Sequence, residues 1–365
     1  MDSLVIIATI RGTESLDSYI KNALNNNFDL SKTEFLLLTE DFVDKAPYKK
    51  VLSDNGAEGK ILNQTDRDKE MEALNLKKYI DIVPKRSKAE ESFGLLYLWV
   101  NKFKYGFTID DDTFPLKEQD FFGMHISNLN FKGKMAEYES DKKFVNVMHH
   151  SFNRLGLYPR GYPYSLMGEK LSHKIVNVSK VGITQGLWTN IPDLDAVRIL
   201  MDGDLNGQAK TRLEASDYGD DFTVAKSNYL TVCSMNMAFR RDMVPALYRF
   251  KMLDNPWKID RFDDIWSGLV VKKICDSIDY KIITGKPFCQ HNKGPRSTFR
   301  DLLGESPGLE PNETLYKLID EAEMHGDTFE KVSAIAGKMR ESKHPFVSYS
   351  GNHLSLWVEM LKRVS

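Results

Sequence analysis

The chain has 365 residues, of which 41% are hydrophobic and 28% are charged, a composition typical of a soluble globular protein and unlike a disordered or fibrous one. Its 50 basic and 52 acidic side chains give a net charge of −2, which disfavours a nucleic acid partner unless a local basic patch exists. Three cysteines without metal-type spacing, Cys233, Cys275 and Cys289, exclude a disulfide framework and favour a reducing, cytoplasmic compartment. The apolar runs are shorter than the roughly 20 residues that span a bilayer, so we expect no membrane segment.

The first third of the chain alternates predicted strands and helices. The apolar run 4–10 predicts a strand buried on both faces, and the helical spacing of apolar residues over 15–25 predicts an amphipathic helix. Residues 35–39 predict a second buried strand, which completes a βαβ unit and indicates a parallel sheet. The polar segment 53–78 predicts a solvated helix or loop.

The later elements continue this pattern and then become helical. Predicted strands lie at 105–109, 144–148, 229–239 and 280–284, and predicted helices at 92–102 and 265–278. From Pro311 onward the spacing of apolar residues is helical. We therefore predict an α/β domain with a mostly parallel central sheet over residues 1–305 and a helical C-terminal extension over residues 306–365.

Three consecutive aspartates, Asp110, Asp111 and Asp112, follow the predicted strand 105–109. Carboxylates this close repel one another unless a cation lies between them, and no basic residue is adjacent in the sequence. Alternate side chains of extended backbone share a face, so Asp110 and Asp112 are predicted to hold one Mn²⁺ or Mg²⁺ ion against a diphosphate. The alternative is a solvated acidic turn.

A histidine and a lysine lie in the loop after the predicted strand 280–284. His291 could complete the metal shell, and Lys293 could contact phosphate as a point charge. The alternative for His291 is an ordinary surface or core histidine.

Two aspartates, Asp263 and Asp264, stand just before the predicted helix 265–278. One of them can cap that helix. Capping leaves the other carboxylate for acid/base catalysis or for binding a sugar hydroxyl, so both are candidate catalytic residues.

An arginine lies among tyrosines and prolines in the segment 158–166. Arg160 could form a bidentate pair with a diphosphate or a carboxylate, and Tyr162 could stack on a sugar or a base. A rigid surface loop with a cation–π contact is the alternative.

The segment 186–195 combines an aromatic ring with amide and carboxylate groups, as carbohydrate sites often do. Trp188 offers a flat face to a sugar ring, and Asn190 and Asp193 offer partners to its hydroxyls; packing is the alternative for Trp188. The common kinase, dehydrogenase, metalloprotease and hydrolase motifs do not occur in the sequence.

Five ordered segments carry a resemblance to a known family. They are residues 108–112, 160–166, 186–195, 233–239 and 261–268. Together they resemble the reversibly glycosylated polypeptides of plants, also known as UDP-arabinopyranose mutases. The resemblance runs from Thr9 to about His291.

The resemblance implies a fold like that of the GT-A nucleotide-sugar glycosyltransferases, a metal-binding D-x-D set and a UDP-sugar substrate. In that family the arginine that matches Arg160 becomes reversibly glycosylated, and a second arginine, seven residues later, is Met167 here. The matching segments also add a group of expected substrate-binding residues, which comprises Thr9, Arg11, Asp111 and Asn236.

The resemblance therefore predicts interconversion of the pyranose and furanose forms of UDP-arabinose. Transfer of the sugar to an external acceptor is the alternative, with a glycan, a protein or a modified base of viral DNA as the acceptor. A third possibility is an inactive subunit that binds UDP-sugar within a homo- or hetero-oligomer.

Overall fold

The computed structural model describes residues 1–150 and 156–365, and its centre is one large β-sheet. The strands are β1 (Ser3–Ala8), β2 (Thr33–Leu38), β3 (Glu58–Leu62), β4 (Tyr105–Asp110), β5 (Thr113–Pro115), β6 (Gly133–Ser140), β7 (Phe144–Val145), β8 (Leu171–Val178), β9 (Val181–Asn190), β10 (Phe222–Val224), β11 (Tyr229–Leu230), β12 (Asn236–Arg240) and β13 (Lys281–His291). All except β7 and β11, which form a separate pair, belong to the large sheet.

The large sheet has the order β3-β2-β1-β4-β12-β9-β13-β10-β6-β8, with β5 paired to β13. The four strands from β3 to β4 are parallel, as are the pairs β9–β13 and β6–β10. Antiparallel pairing joins β12 to both β4 and β9. The predicted α/β architecture with a mostly parallel central sheet is confirmed.

Both faces of β1 are buried, as the uninterrupted apolar run at the N-terminus predicts. In β1, Leu4 and Ile6 belong to one hydrophobic cluster, and Val5 and Ile7 belong to the cluster on the other face. The strand thus lies between two layers of packed side chains. Only its end is accessible to a ligand, and in α/β sheets ligands bind beyond the carboxyl ends of the strands.

Helices cover the sheet and form the C-terminal region of the chain. They are α1 (Glu14–Asn25), α2 (Ala46–Asp54), α3 (Gln64–Ala73), α4 (Glu91–Val100), α5 (Phe121–Leu129), α6 (Ala196–Asp202), α7 (Asp263–Ser277), α8 (Thr298–Asn312), α9 (Leu315–Asp320), α10 (Thr328–Arg340) and α11 (Pro345–Arg363). The predicted helical C-terminal region is confirmed, and its buried residues, such as Trp357, share one hydrophobic cluster with β1. No helix in the described part of the chain is long and apolar enough to cross a membrane.

Several element boundaries differ from those predicted. The polar segment 53–78 contains β3, an outer strand whose exposed residues alternate with less exposed ones and so give no apolar run. The segment 229–239 is divided between β11 and β12, and β13 continues to His291. Helix begins at Thr298 rather than near Pro311, and the proposed division at residue 305 falls inside α8.

Candidate active site

A cleft of 490 Å³ lies where the carboxyl ends of β1, β4 and β13 meet the start of α7. Its position follows the general rule for α/β sheets, in which ligands bind beyond the carboxyl ends of parallel strands. Most of the predicted site residues line it, namely Thr9, Arg11, Asp110, Asp111, Asp112, Arg160, Asp193, Asp263, Asp264, His291 and Lys293. Residues from distant parts of the sequence thus meet in one polar cavity.

The three aspartates after β4 are neutralised by basic side chains from elsewhere in the chain. Lys88 forms an ion pair with Asp110. Arg11, after β1, lies between the other two aspartates, with its Nε 3.4 Å from Asp111 Oδ1 and its Nη1 3.0 Å from Asp112 Oδ2. The absence of basic residues next to the triplet in the sequence therefore does not mean that its charge is unbalanced.

Burial shifts the ionisation of two of these aspartates. It raises the pKa of Asp110, and Lys88 opposes this effect. Burial also raises the pKa of Asp111 to about 6, although Arg11 acts in the opposite direction. Removing a carboxylate from water disfavours its charged form, and the adjacent basic side chains offset part of this effect.

His291 and Asp112 lie close together in the cleft. The Nδ1 atom of His291 lies 2.8 Å from the carbonyl oxygen of Ile191, which can only accept a hydrogen bond. In the neutral imidazole Nε2 is then a lone-pair donor, and it lies 4.0 Å from Asp112 Oδ1. Two donors on one cation are at most about 4.2 Å apart when each bond is about 2.1 Å, so these two side chains fit Mn²⁺ or Mg²⁺.

The predicted set of three metal ligands is not assembled. Within residues 1–150 and 156–365, no group of three or more His, Cys, Asp or Glu side chains has the spacing of a metal site. Asp110 instead forms an ion pair with Lys88, whereas Asp112 and His291 lie 4.0 Å apart.

Arg160 is a buried guanidinium clamped between two carboxylates. Its Nε lies 3.1 Å from both oxygens of Asp193, and its Nη1 lies 3.2 Å from Asp264 Oδ1. Nη1 also donates to the carbonyl of Arg261, whose left-handed backbone (φ 68°) is uncommon for a residue other than glycine. Burial acts to lower the pKa of Arg160, but Asp193 and Asp264 outweigh it and raise that pKa well above its ordinary value. The guanidinium is therefore permanently charged and fixed in place.

Asp263 and Asp264 have opposite ionisation behaviour although they are neighbours at the start of α7. Burial, followed by the charge of Asp264, raises the pKa of Asp263 to about 7. Burial acts on Asp264 in the same direction, but Arg160 and Lys88 outweigh it and lower the pKa of Asp264. One carboxyl group is thus poised to exchange a proton near neutral pH, and the other is a permanent anion.

The cleft contains further basic residues that sequence reasoning missed, comprising Arg86, Lys88, Arg261 and Arg296. Arg86, Lys88 and Arg296 lie outside the five segments that carry the family resemblance, and Lys88 reaches Asp110 because the segment before α4 passes the end of β4. Arg261 lies within one of these segments, 261–268, but no role was predicted for it. The predicted phosphate contact Lys293 also lines the cleft, where burial, and then the nearby Arg261, lower the pKa of its ammonium.

Two predicted aromatic ligands are core residues instead. Tyr162 is 1% exposed, and its hydroxyl donates to the carbonyl of Phe144 at 3.3 Å. Trp188 is also 1% exposed and lies within β9, a strand of the sheet interior. Neither lines the cleft, and both belong to the hydrophobic core, as the packing alternative for Trp188 expects.

Two predicted amide ligands also lie outside the cleft lining. Asn236 is fully buried, and its Oδ1 lies 2.8 Å from Nε2 of His125 while its Nδ2 donates to the carbonyl of Pro287 at 2.9 Å. Asn190 donates from Nδ2 to the carbonyl of His291 at 3.1 Å. Asn236 thus links β12 to α5 and β13, and Asn190 links β9 to β13.

Met167, which replaces an arginine of the family pattern, is likewise absent from the cleft lining. Its Sδ lies 3.1 Å from Nη2 of Arg198. The guanidinium of Arg198 stacks on the ring of Tyr164 at 4.9 Å. An arginine from α6 therefore lies against position 167.

Comparison with known proteins gives a consistent result. The family model described as "Reversibly glycosylated polypeptide" matches residues 6–364. UDP-arabinopyranose mutase 1 of Oryza sativa subsp. japonica is 31% identical over 75% of this chain and 71% of its own length. UDP-arabinopyranose mutase 2 of Arabidopsis thaliana is 29% identical over 87% and 82%. A structure of S. aureus TarS with UDP-GlcNAc, at 10% identity, covers 99% of this chain and 91% of its own with a TM-score of 0.33, too low to carry an argument.

A charged cleft at the carboxyl edge of an α/β sheet, together with these relatives, confirms the predicted class of nucleotide-sugar enzyme. More specifically, the chain belongs to the family of reversibly glycosylated polypeptides, because the family model matches nearly its whole length. The predicted family is confirmed.

Proposed function

We propose that this protein is a UDP-sugar mutase that interconverts the pyranose and furanose forms of UDP-arabinose. The observation that carries the proposal is that, in a chain of this family, Asp110–Asp112, Arg160 and Asp263 line the same cleft. Anion-binding, cation-binding and proton-exchanging groups are thus available within one cavity. The assignment of a GT-A-like substrate site belongs to the same proposal.

The diphosphate of the substrate is bound at the cationic part of the cleft. Lys293 and Arg86 line this region and are available to bind phosphate oxygens. Asp112 and His291 would hold a Mn²⁺ or Mg²⁺ ion, which when bound neutralises charge on the departing diphosphate. Arg11 keeps the neighbouring aspartates in position through its two ion pairs.

The ring contraction needs one proton to move between two sugar oxygens. As the bond from C1 to the diphosphate oxygen breaks, O4 forms a bond to C1 and passes its proton to the Asp263 carboxylate. The C1–O5 bond then breaks, Asp263 returns the proton to O5, and the diphosphate oxygen bonds to C1 again, which yields the furanose. A carboxyl group whose pKa is about 7 can act in both directions at neutral pH.

Arg160 supports this chemistry electrostatically. A guanidinium that is charged and donates to two carboxylates has no lone pair with which to attack C1. Arg160 and its two partners, Asp193 and Asp264, together carry one more negative than positive charge. This excess stabilises the positive charge that develops on the sugar ring. Mass spectrometry after incubation with substrate tests this role, and a pentose adduct on Arg160 that forms and disappears at the rate of turnover would overturn it.

The decisive experiment is to incubate the purified protein with UDP-arabinopyranose, with and without Mn²⁺, and to separate the products. We expect a furanose nucleotide from the unmodified protein, and a loss of roughly 100-fold or more in rate for Asp263→Asn. Asp279→Asn removes an exposed carboxylate outside the cleft and is the matched control. UDP released only when an acceptor is added would identify a transferase instead, and binding of the nucleotide without any product would identify an inactive subunit.

A further inference from the structure

We propose that Lys88 is a substrate-binding residue that exchanges its ion pair with Asp110 for one with the diphosphate of the nucleotide. The exchange frees Asp110 to join Asp112 and His291 around a cation. This inference rests on the proposed function, because it requires a nucleotide diphosphate in the cleft. It assigns a role to a residue that lies outside every motif recognised in the sequence.

The position of Lys88 is set by charges on both sides. Its ammonium pairs with Asp110 at the end of β4 and lies 4.0 Å from Glu91 Oε1 at the start of α4. Glu91 is fully buried and is itself fixed by Arg249, whose Nε lies 3.0 Å from Glu91 Oε2. Glu91 therefore attracts the Lys88 ammonium from the protein interior, and Glu91 itself is fixed by Arg249 and cannot move into the cleft.

The backbone around Lys88 is anchored, so that only its side chain needs to move. The amide of Arg86 donates to Glu40 Oε1 at 2.9 Å, and the hydroxyl of Ser87 accepts from the amide of Ala89 at 3.1 Å. On the other side, Glu90 is buried and forms an ion pair of 2.9 Å with Arg67. Fixed backbone on both sides presents the lysine to the cleft without a loop rearrangement.

The side chain is free enough to make the exchange. The Lys88 side chain is 31% exposed and lines the cleft, whereas the side chain of its partner Asp110 is 19% exposed. An ammonium on a flexible four-carbon stem is a mobile point charge, unlike the planar guanidinium of an arginine. A diphosphate carries more charge than a carboxylate, so the lysine gains a stronger partner when it turns toward the ligand.

The exchange also accounts for the incomplete cation site. With Lys88 on Asp110, the carboxylate is neutralised and only Asp112 and His291 face each other. When the nucleotide removes Lys88, Asp110 becomes available as the third donor that the D-x-D spacing predicts. Nucleotide and cation should therefore each strengthen the binding of the other, since two ligands that favour the same arrangement are thermodynamically coupled.

Lys88→Met and a matched control, Lys85→Met, test the proposal. Lys85 lies in the same segment but pairs with Asp68 at 2.9 Å and does not line the cleft. Calorimetry with UDP and no divalent cation should show binding weakened about 10- to 100-fold by Lys88→Met, since a bond to a charged group is lost, and unchanged by Lys85→Met. Titration of Mn²⁺ alone, followed by electron paramagnetic resonance, should show binding at least as tight in Lys88→Met as in the unmodified protein.

The pair of titrations separates the proposal from a purely structural role. A lysine that only maintained the cleft would, when replaced, weaken both UDP and Mn²⁺, and this result would overturn the inference. Equal UDP affinity in Lys88→Met and the unmodified protein would overturn it as well, whereas an unmodified protein that binds no UDP would overturn the proposed function itself. If Lys88→Met does not fold, Lys88→Arg keeps the charge and should retain UDP binding while the coupling to Mn²⁺ falls.

Discussion

Replacing Asp193 by Asn removes one of the two carboxylates that hold Arg160 while keeping the shape of the side chain. Asp193 receives hydrogen bonds from Arg160 Nε at 3.1 Å and forms an ion pair with Arg160 Nη2 at 3.0 Å. It also accepts a hydrogen bond from the Cys233 thiol at 3.5 Å. Because the group is buried, the guanidinium that remains cannot exchange its lost partner for water without cost.

The size of the effect follows from the ionisation of Asp193. Burial acts to raise its pKa, but Arg160 outweighs burial and lowers the pKa from 3.8 to about 2. This difference corresponds to about 2 kcal/mol of stability at 25 °C. Because the pKa is lowered in the folded state, the contribution is present above pH 3.8 and is lost as the pH falls toward 2.

Urea unfolding of the protein, of Asp193→Asn, of Arg160→Met and of the double variant measures this interaction. At about pH 7 we expect Asp193→Asn to lower the free energy of unfolding by about 2 to 3 kcal/mol, and the cycle to give a coupling of about 2 kcal/mol. The difference between the unmodified protein and Asp193→Asn should shrink below about pH 4. If the free-energy changes of the two single variants sum to that of the double variant within about 0.5 kcal/mol, the interaction between Asp193 and Arg160 is not energetically important.

Three further predictions concern the cleft and its surroundings. Asp263→Asn should raise the melting temperature more at about pH 8 than at about pH 5. Because the pKa of Asp263 is raised from 3.8 to about 7 in the folded protein, stability is lost over that pH range, where the group ionises in the unfolded chain but stays protonated in the folded one. An equal rise in melting temperature at both pH values would contradict this. His291→Ala should weaken Mn²⁺ binding, followed by electron paramagnetic resonance, by about tenfold or more, and unchanged binding would exclude it as a ligand. Trp188→Phe should cost about 1 kcal/mol in urea unfolding and leave the KM for the UDP-sugar unchanged, whereas a marked rise in KM would restore it as a ligand.

The inner parallel strands β1 and β2 could be predicted because a strand that is buried on both faces has a continuous run of apolar residues. Residues 4–10 and 35–39 correspond to β1 and β2, with small differences at their ends. The outer strand β3 gives no such signal, because its residues are partly exposed and its sequence is polar. Strand signals in a sequence therefore depend on burial, and they fail at the edge of the sheet.

For the candidate site, the sequence was informative where residues follow a strand or precede a helix. Asp110–Asp112 and Asp263–Asp264 were recognisable for that reason, and both sets line the cleft. Aromatic composition was less informative, because Trp188, which was predicted to face a sugar ring, lies in β9 and is 1% exposed. A large aromatic ring has more apolar surface to bury than almost any other side chain. Core packing is therefore the first interpretation of such a ring, even when it lies near functional residues in the sequence.

The ion-pair partners of Asp110–Asp112 could not be predicted from the sequence, because they come from distant parts of the chain. A cation between the aspartates was predicted because no basic residue adjoins them in the sequence, yet Arg11 and Lys88 reach them from the loop after β1 and from the segment before α4. These ion pairs need the topology in which β1 lies directly beside β4. In the proposed exchange, a diphosphate draws Lys88 away from Asp110, and a cation would then take its place beside that carboxylate. The residues that balance the cleft before the nucleotide binds are therefore the same residues through which nucleotide and cation binding can be coupled.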